Sequence, residues 1–229
     1  HTRPVAAMLC LTTLSHNDRL RMPVTDGRET LMKLYWCPHT RAVRALWMME
    51  EAGVEYDPVL IDIRDPEARN DPGFVAASPM GKVPALEDGE ARMADSAAIC
   101  LYVADRYATH LAPAVDDPAR ARFLFWMFYA PGAMEPAMAQ KMAGWDSNRQ
   151  AHGWGDYETM LETLEKGLEH GPWLLGEMFS AADVMVGSTA YFMRSFGILS
   201  EDSTVIPYVD RCLERPAYQR ALAINDTAA

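Results

Sequence analysis

The chain has 229 residues, of which 49% are hydrophobic and 23% charged, the balance of an ordinary globular protein long enough for one large core or two modest ones. Lys and Arg number 21 against 32 Asp and Glu, a formal net charge of −11. That acidity argues against nucleic acid and anionic membrane surfaces as partners, because the summed field repels them. No apolar run reaches the ~18 residues that a membrane span needs.

Residues 1–31 read differently from the rest. The chain opens on His1 rather than Met, and Val5 to Leu14 is apolar after Arg3, faintly like the core of a signal peptide but without a convincing cationic start or a small-residue cleavage pattern. A loosely docked extension is expected there, upstream of a start at Met22 or Met32. From Met32 the pattern is regular. Residues 32–36 (MKLYW) read as a buried strand. Residues 38–52 read as a helix, with Val43, Leu46 and Trp47 at helical spacing and Gly53 as its stop. Residues 56–63 read as a second strand, which makes a β-α-β unit with a parallel pair. A polar, proline-broken stretch over 65–78 precedes strands at 84–87 and 91–94, joined by the turn signal Asp88-Gly89. Residues 95–107 are helical again, so the order over 32–110 is β-α-β-α-β-β-α. A linker follows at 111–118. Beyond it, 119–142, 157–170, 181–196, 207–213 and 216–224 all show helical periodicity, so residues 118–225 are expected to form an all-helical domain.

Chemistry concentrates in three places. In Ser78-Pro79-Met80-Gly81-Lys82-Val83-Pro84-Ala85-Leu86, Pro84 opens a strand, where its missing N–H is tolerated. A cis Val83–Pro84 bond there would turn the Val83 N–H and C=O outward, toward the backbone of a peptide-like ligand; an ordinary turn proline is the alternative. Asp95 or Ser96 opens a helix, either as a plain N-cap or as part of a seat for a carboxylate. Pro38 suits a first helical position, which makes Cys37 the expected N-cap, facing first-turn N–H groups that favour a thiolate. The four cysteines, Cys10, Cys37, Cys100 and Cys212, are scattered without a CxxC pair. They are expected to be reduced thiols in the cytoplasm. There is no metal-ligand motif, no phosphate loop and no nucleophile elbow.

The Ser78–Leu86 and Asp95-Ser96 segments, following a β-α-β unit, resemble the glutathione site of the glutathione S-transferase family. The late segment Gly176-Glu177-Met178-Phe179-Ser180-Ala181-Ala182-Asp183 is similar to the capping-box segment of that family, with Ser180 as N-cap and Asp183 as N3. The resemblance implies a thioredoxin-like N-terminal domain, an all-helical C-terminal domain, glutathione as co-substrate and a homodimer. It implies that Val83, Pro84, Asp95 and Ser96 bind glutathione, and that Lys82 meets its glycine carboxylate, with Arg41 and Arg44 as weaker candidates. Arg44 could equally pair with Glu50 or Glu51. Cys37 falls where serine-type members carry their catalytic serine, a departure that leaves two chemistries open. Either Cys37 or Thr40 donates to the glutathione sulfur and the enzyme conjugates small hydrophobic electrophiles, or Cys37 forms a mixed disulfide in thiol–disulfide exchange. A non-catalytic binding protein is the further alternative. The second substrate is expected against Trp126, Met127, Tyr129, Met134 and Met138, on a helix bent at Pro131-Gly132.

Overall fold

Alternation along the first strand, β1 (Met32–Trp36), decides both faces of the sheet. Met32, Leu34 and Trp36 enter the main core, whereas Tyr35 packs in a second cluster with Ile61, Phe74, Ala77 and Ala85, as a period-two strand covered on both sides requires. A computed structural model describes residues 31–226; apart from Leu31, the extension expected over 1–31 lies outside the described residues.

β1 runs parallel to β2 (Tyr56–Leu60) and antiparallel to β3 (Ala85–Asp88), which pairs with β4 (Ala91–Ala94) in the order β2-β1-β3-β4. The strand expected over 56–63 ends early. Its last bond to β1 is Ile61 N–H to the Trp36 carbonyl, and a turn begins at Asp62. The crossover helix α1 (Ala42–Ala52) stops at Gly53, which takes φ +63°. A short helix, α2 (Pro72–Ala77), sits inside the polar 65–78 stretch, where the Asp71 carboxylate accepts from the Phe74 N–H at 2.8 Å. Phe74 from this helix covers the Tyr35 face of the sheet. α3 (Ser96–Tyr107) is capped by Asp95, whose carboxylate accepts from Ala97 and Ala98.

The remainder is helical, so the architecture is a thioredoxin-like α/β domain followed by an all-helical one. The helix expected over 119–142 is divided. α4 (Ala119–Tyr129) passes through a π-helical turn (Ala130–Met134) into α5 (Glu135–Ala143), because Pro131 and Pro136 remove two consecutive-turn donors from the ladder. α6 (Tyr157–Gly167) ends at Leu168, short of the expected His170. α7 (Ala181–Ser195) is buried continuously from Ala181 to Ala190, the mark of a central helix. α8 (Ile206–Leu213) and α9 (Pro216–Asp226) complete the described residues. At the head of α7 the Asp183 carboxylate accepts from the Ser180 N–H and hydroxyl, the Leu174 N–H and the Tyr208 hydroxyl. Burial pushes its carboxyl up to about 6 against the lowering effect of those donors. α9 is held to α1 by Arg215–Glu51 and Arg220–Glu50 ion pairs and by Tyr218 edge-on to Trp47 at 5.0 Å.

Candidate functional site

The strand register gathers three of the predicted segments at one end of the sheet. Tyr35 lies opposite Ala85, and Ala85 opposite Ala94. Trp36-Cys37, Val83-Pro84 and Asp95-Ser96 therefore leave the sheet side by side. The Val83–Pro84 bond is cis, and among the described residues nothing pairs with the Val83 N–H or C=O. The turn before it is fixed by Ser78, whose hydroxyl donates to the Lys82 carbonyl at 2.7 Å and accepts from the Lys82 N–H at 2.8 Å. The Lys82 side chain is exposed and, among the described residues, has no ion-pair partner. Asp95, at φ +80°, is the α3 cap. Ser96 is only 6% exposed, yet its N–H and hydroxyl have no partner among the described residues. The hydroxyl itself still reaches solvent, so these unpaired groups are open to a polar ligand.

The turn after β1 departs from expectation. α1 begins at Ala42 with Arg41 as its cap, so Pro38 is not a helical residue and Cys37 is not an N-cap. The Thr40 hydroxyl donates to the Cys37 carbonyl at 2.7 Å and accepts from the Ala42 N–H at 3.2 Å, while the His39 N–H donates to the Asn225 carboxamide oxygen at 3.3 Å. These side-chain bonds satisfy the backbone in a turn instead of a helix, with His39 at φ +55°, a conformation no α-helix contains. Cys37 is buried at 3% exposure. Among the groups of this turn without a partner in the described residues are the N–H of Thr40 and of Arg41.

Beside the turn lies a cavity of about 100 Å³, lined by His39, Thr40, Arg41, Arg44, Glu135, Met138, Phe192 and Phe196. Arg44 pairs with neither Glu50 nor Glu51, which are taken by Arg220 and Arg215. It is 1% exposed and reaches the Ser188 hydroxyl at 3.0 Å, the Thr189 hydroxyl at 2.9 Å and Glu135 at 2.5 Å. Desolvation lowers its proton affinity and the Glu135 carboxylate opposes that shift. The other oxygen of Glu135 meets the Arg41 Nε at 2.7 Å.

The expected apolar wall is mostly core. Met127 and Met134 have no exposed surface, Trp126 packs edge-on to Tyr129, and the Tyr129 hydroxyl donates to the Met160 carbonyl. Of the five residues expected there, Met138 lines the cavity. The aromatic lining comes instead from Phe192 and Phe196, stacked at 6.3 Å. Their i,i+4 spacing at the end of the α7 pattern was the one available signal.

The fold is shared with known proteins. Models of the glutathione S-transferase N-terminal and C-terminal domains match residues 36–106 and 117–201. A probable glutathione S-transferase of Oryza sativa subsp. japonica is 30% identical over 166 residues, 67% of this chain and 76% of that protein. The disulfide-bond oxidoreductase YfcG of Escherichia coli is 29% identical over 168 residues, again 67% and 76%. A glutathione transferase homologue from Sulfitobacter, solved with bound glutathione, superposes with a TM-score of 0.65 at 27% identity, over 86% of this chain and 98% of that one. The chain belongs to the glutathione S-transferase family.

Proposed function

We propose that this protein is a glutathione transferase that conjugates glutathione to small hydrophobic electrophiles, working as a cytoplasmic homodimer. The observation that supports the reading is the set of polar groups left unpaired, among the described residues, around one end of the sheet. These are the N–H of Thr40, both backbone groups of Val83, the N–H and hydroxyl of Ser96, and the Lys82 ammonium. In the proposed complex Val83 pairs with the backbone of the tripeptide after the cis Val83–Pro84 bond. Ser96, behind the Asp95 cap, takes one carboxylate at the α3 N-terminus, where the helix dipole adds to the hydrogen bonds, and Lys82 takes the glycine carboxylate. The sulfur then faces the turn after β1. A free thiol is mostly protonated near neutrality, and the unpaired N–H groups of this turn favour its thiolate. Attack forms a C–S bond on the electrophile; the leaving group departs with its electron pair and the thiol proton goes to solvent. Cys37, buried beneath the turn, and Thr40, bonded to the Cys37 carbonyl, set its shape.

Support for the homodimer is the exposure of large apolar side chains, Met80 at 80% and Phe125 and Phe128 at 50% each. Support for a reducing compartment is that Cys37, Cys100 and Cys212 are buried free thiols. Among the described residues no helix is long and apolar enough to cross a membrane. One finding favours a second reading, thiol–disulfide exchange through Cys37: the similarity to a disulfide-bond oxidoreductase. Retention on immobilised glutathione, followed by turnover of chlorodinitrobenzene and of a glutathione mixed disulfide, tests both. Conjugation supports the transferase, and disulfide turnover alone supports the second reading. Retention with neither turnover identifies a binding protein that keeps the fold.

A further inference from the structure

The cavity beside the turn carries more charge than an apolar electrophile needs. Two guanidinium groups, Arg41 and Arg44, line it against one carboxylate, Glu135. Arg44 is fully committed, with its nitrogens on Ser188, Thr189 and Glu135 and its guanidinium 5.5 Å over the Phe192 ring. Both oxygens of Glu135 are engaged, one by each arginine. Arg41 approaches that pair most closely through its Nε. Its side chain is 58% exposed, and its two terminal nitrogens make no hydrogen bond among the described residues. The lining therefore holds one surplus positive charge, in a chain whose formal net charge is −11. A guanidinium with its terminal nitrogens free presents the planar, two-pronged donor geometry that matches a carboxylate.

The rest of the lining includes apolar groups. Phe192 and Phe196 stack with their planes 19° apart, Phe196 is 56% exposed, and Met138 also lines the cavity. A cavity of ~150 Å³ holds a benzene ring. This one, at about 100 Å³, is smaller, so a ring seated there keeps part of its face in solvent beside the exposed Phe196 and Arg41.

We propose that the second substrate is a small planar electrophile bearing a carboxylate, its ring against Phe192 and Phe196 and its carboxylate on the terminal nitrogens of Arg41. The inference rests on the transferase reading for the word substrate, but its binding geometry does not. Arg41 is then the residue that sets specificity between anionic and neutral electrophiles.

The test uses the full chain with a matched pair of nitroaryl chlorides, one carrying a carboxylate and the other its methyl ester. The expected result is a preference for the acid in kcat/KM, and a fall of about tenfold or more in the acid-to-ester ratio in Arg41→Gln, the loss of one hydrogen-bonded charge pair. An unchanged ratio overturns the proposal. So does an Arg41→Gln variant whose KM for glutathione rises by the same factor, because Arg41 then serves glutathione. A calorimetric titration with an unreactive nitrobenzoate in the presence of glutathione separates the two levels of the argument. Arg41-dependent binding of nitrobenzoate without turnover of either chloride sinks the transferase reading and upholds the anionic subsite. Absence of that binding sinks the subsite, whether or not chlorodinitrobenzene is conjugated.

Discussion

Arg44 ties the sheet domain to two helices of the C-terminal domain, and replacing it with Met tests that coupling quantitatively. Met keeps an unbranched apolar stem and removes the guanidinium, with its bonds to Ser188 at 3.0 Å, Thr189 at 2.9 Å and Glu135 at 2.5 Å. Taking away one partner of a buried ion pair costs about 3–5 kcal/mol when the other charge is stranded. Here none is stranded. Ser188 still donates to the Val184 carbonyl and Thr189 to the Met185 carbonyl, and Glu135 keeps Arg41 at 2.7 Å. Relief of the guanidinium desolvation offsets part of the lost bonds as well. The expected loss is about 2 kcal/mol, the lower part of the range for hydrogen bonds to charged groups. In a structured region of this size that lowers Tm by about 4–8 °C. Circular dichroism melts and urea denaturation at constant m would measure it. A loss of about 5 kcal/mol or more would mean that Arg41 does not hold Glu135. No loss at all would mean that the Arg44 network is break-even and that packing and the Arg215–Glu51 and Arg220–Glu50 pairs carry the coupling.

Ser96→Ala should weaken glutathione binding by about 1–2 kcal/mol with little change in folding, because Asp95 caps α3; unchanged affinity in calorimetry would put the carboxylate elsewhere. The Asp183 carboxyl, pushed up to about 6 by burial, lies above the ~3.9 of an unfolded aspartate. The native state therefore binds this proton more tightly, so the group favours folding below pH ~3.9 and that contribution is lost as pH rises through about 6. Wild type should lose on the order of 2–3 kcal/mol relative to Asp183→Asn across that window, and a pH-independent difference between the two denaturation series would contradict it. A Cβ on Gly187 would stand 2.5 Å from the Cys212 sulfur, both in the core, so Gly187→Ala should cost about 1–3 kcal/mol of overpacking. Cys212→Ala in the same chain should recover part of it; equal, additive losses would show that the clash is not the cause.

The parts of this molecule that were legible in the sequence are those where local chemistry and tertiary structure agree. The alternation of β1, the Asp88-Gly89 turn, the Ser78–Leu86 segment and the Ser180–Asp183 cap each carry their own backbone requirement. The start of α1 was not legible, because Pro38 is an acceptable first helical residue and the bonds that favour the turn come from the Thr40 hydroxyl, on both sides, and from Asn225 near the far end of the chain. Arg44 lies between Val43 and Leu46 on a buried face; its partners come from residues 91 to 145 positions away, and no local pattern announces them. The Met residues of α4 and the π turn look alike whether they line a cleft or fill a core. Packing against α6 and α7 made Met127 and Met134 core and left Met138 at the cavity.

The central claim is that the turn after β1 serves conjugation and not disulfide exchange, and steady-state turnover of Cys37→Ser in both assays tests it most directly. Cys37 is buried and does not cap α1, while the unpaired N–H groups of Thr40 and Arg41 survive the substitution. Conjugation of chlorodinitrobenzene should therefore stay within about tenfold of wild type, less than 1.4 kcal/mol in the barrier, and wild type should show little activity on a glutathione mixed disulfide. Robust disulfide turnover by wild type that disappears in Cys37→Ser, with conjugation absent from both, would contradict the account and make Cys37 the nucleophile.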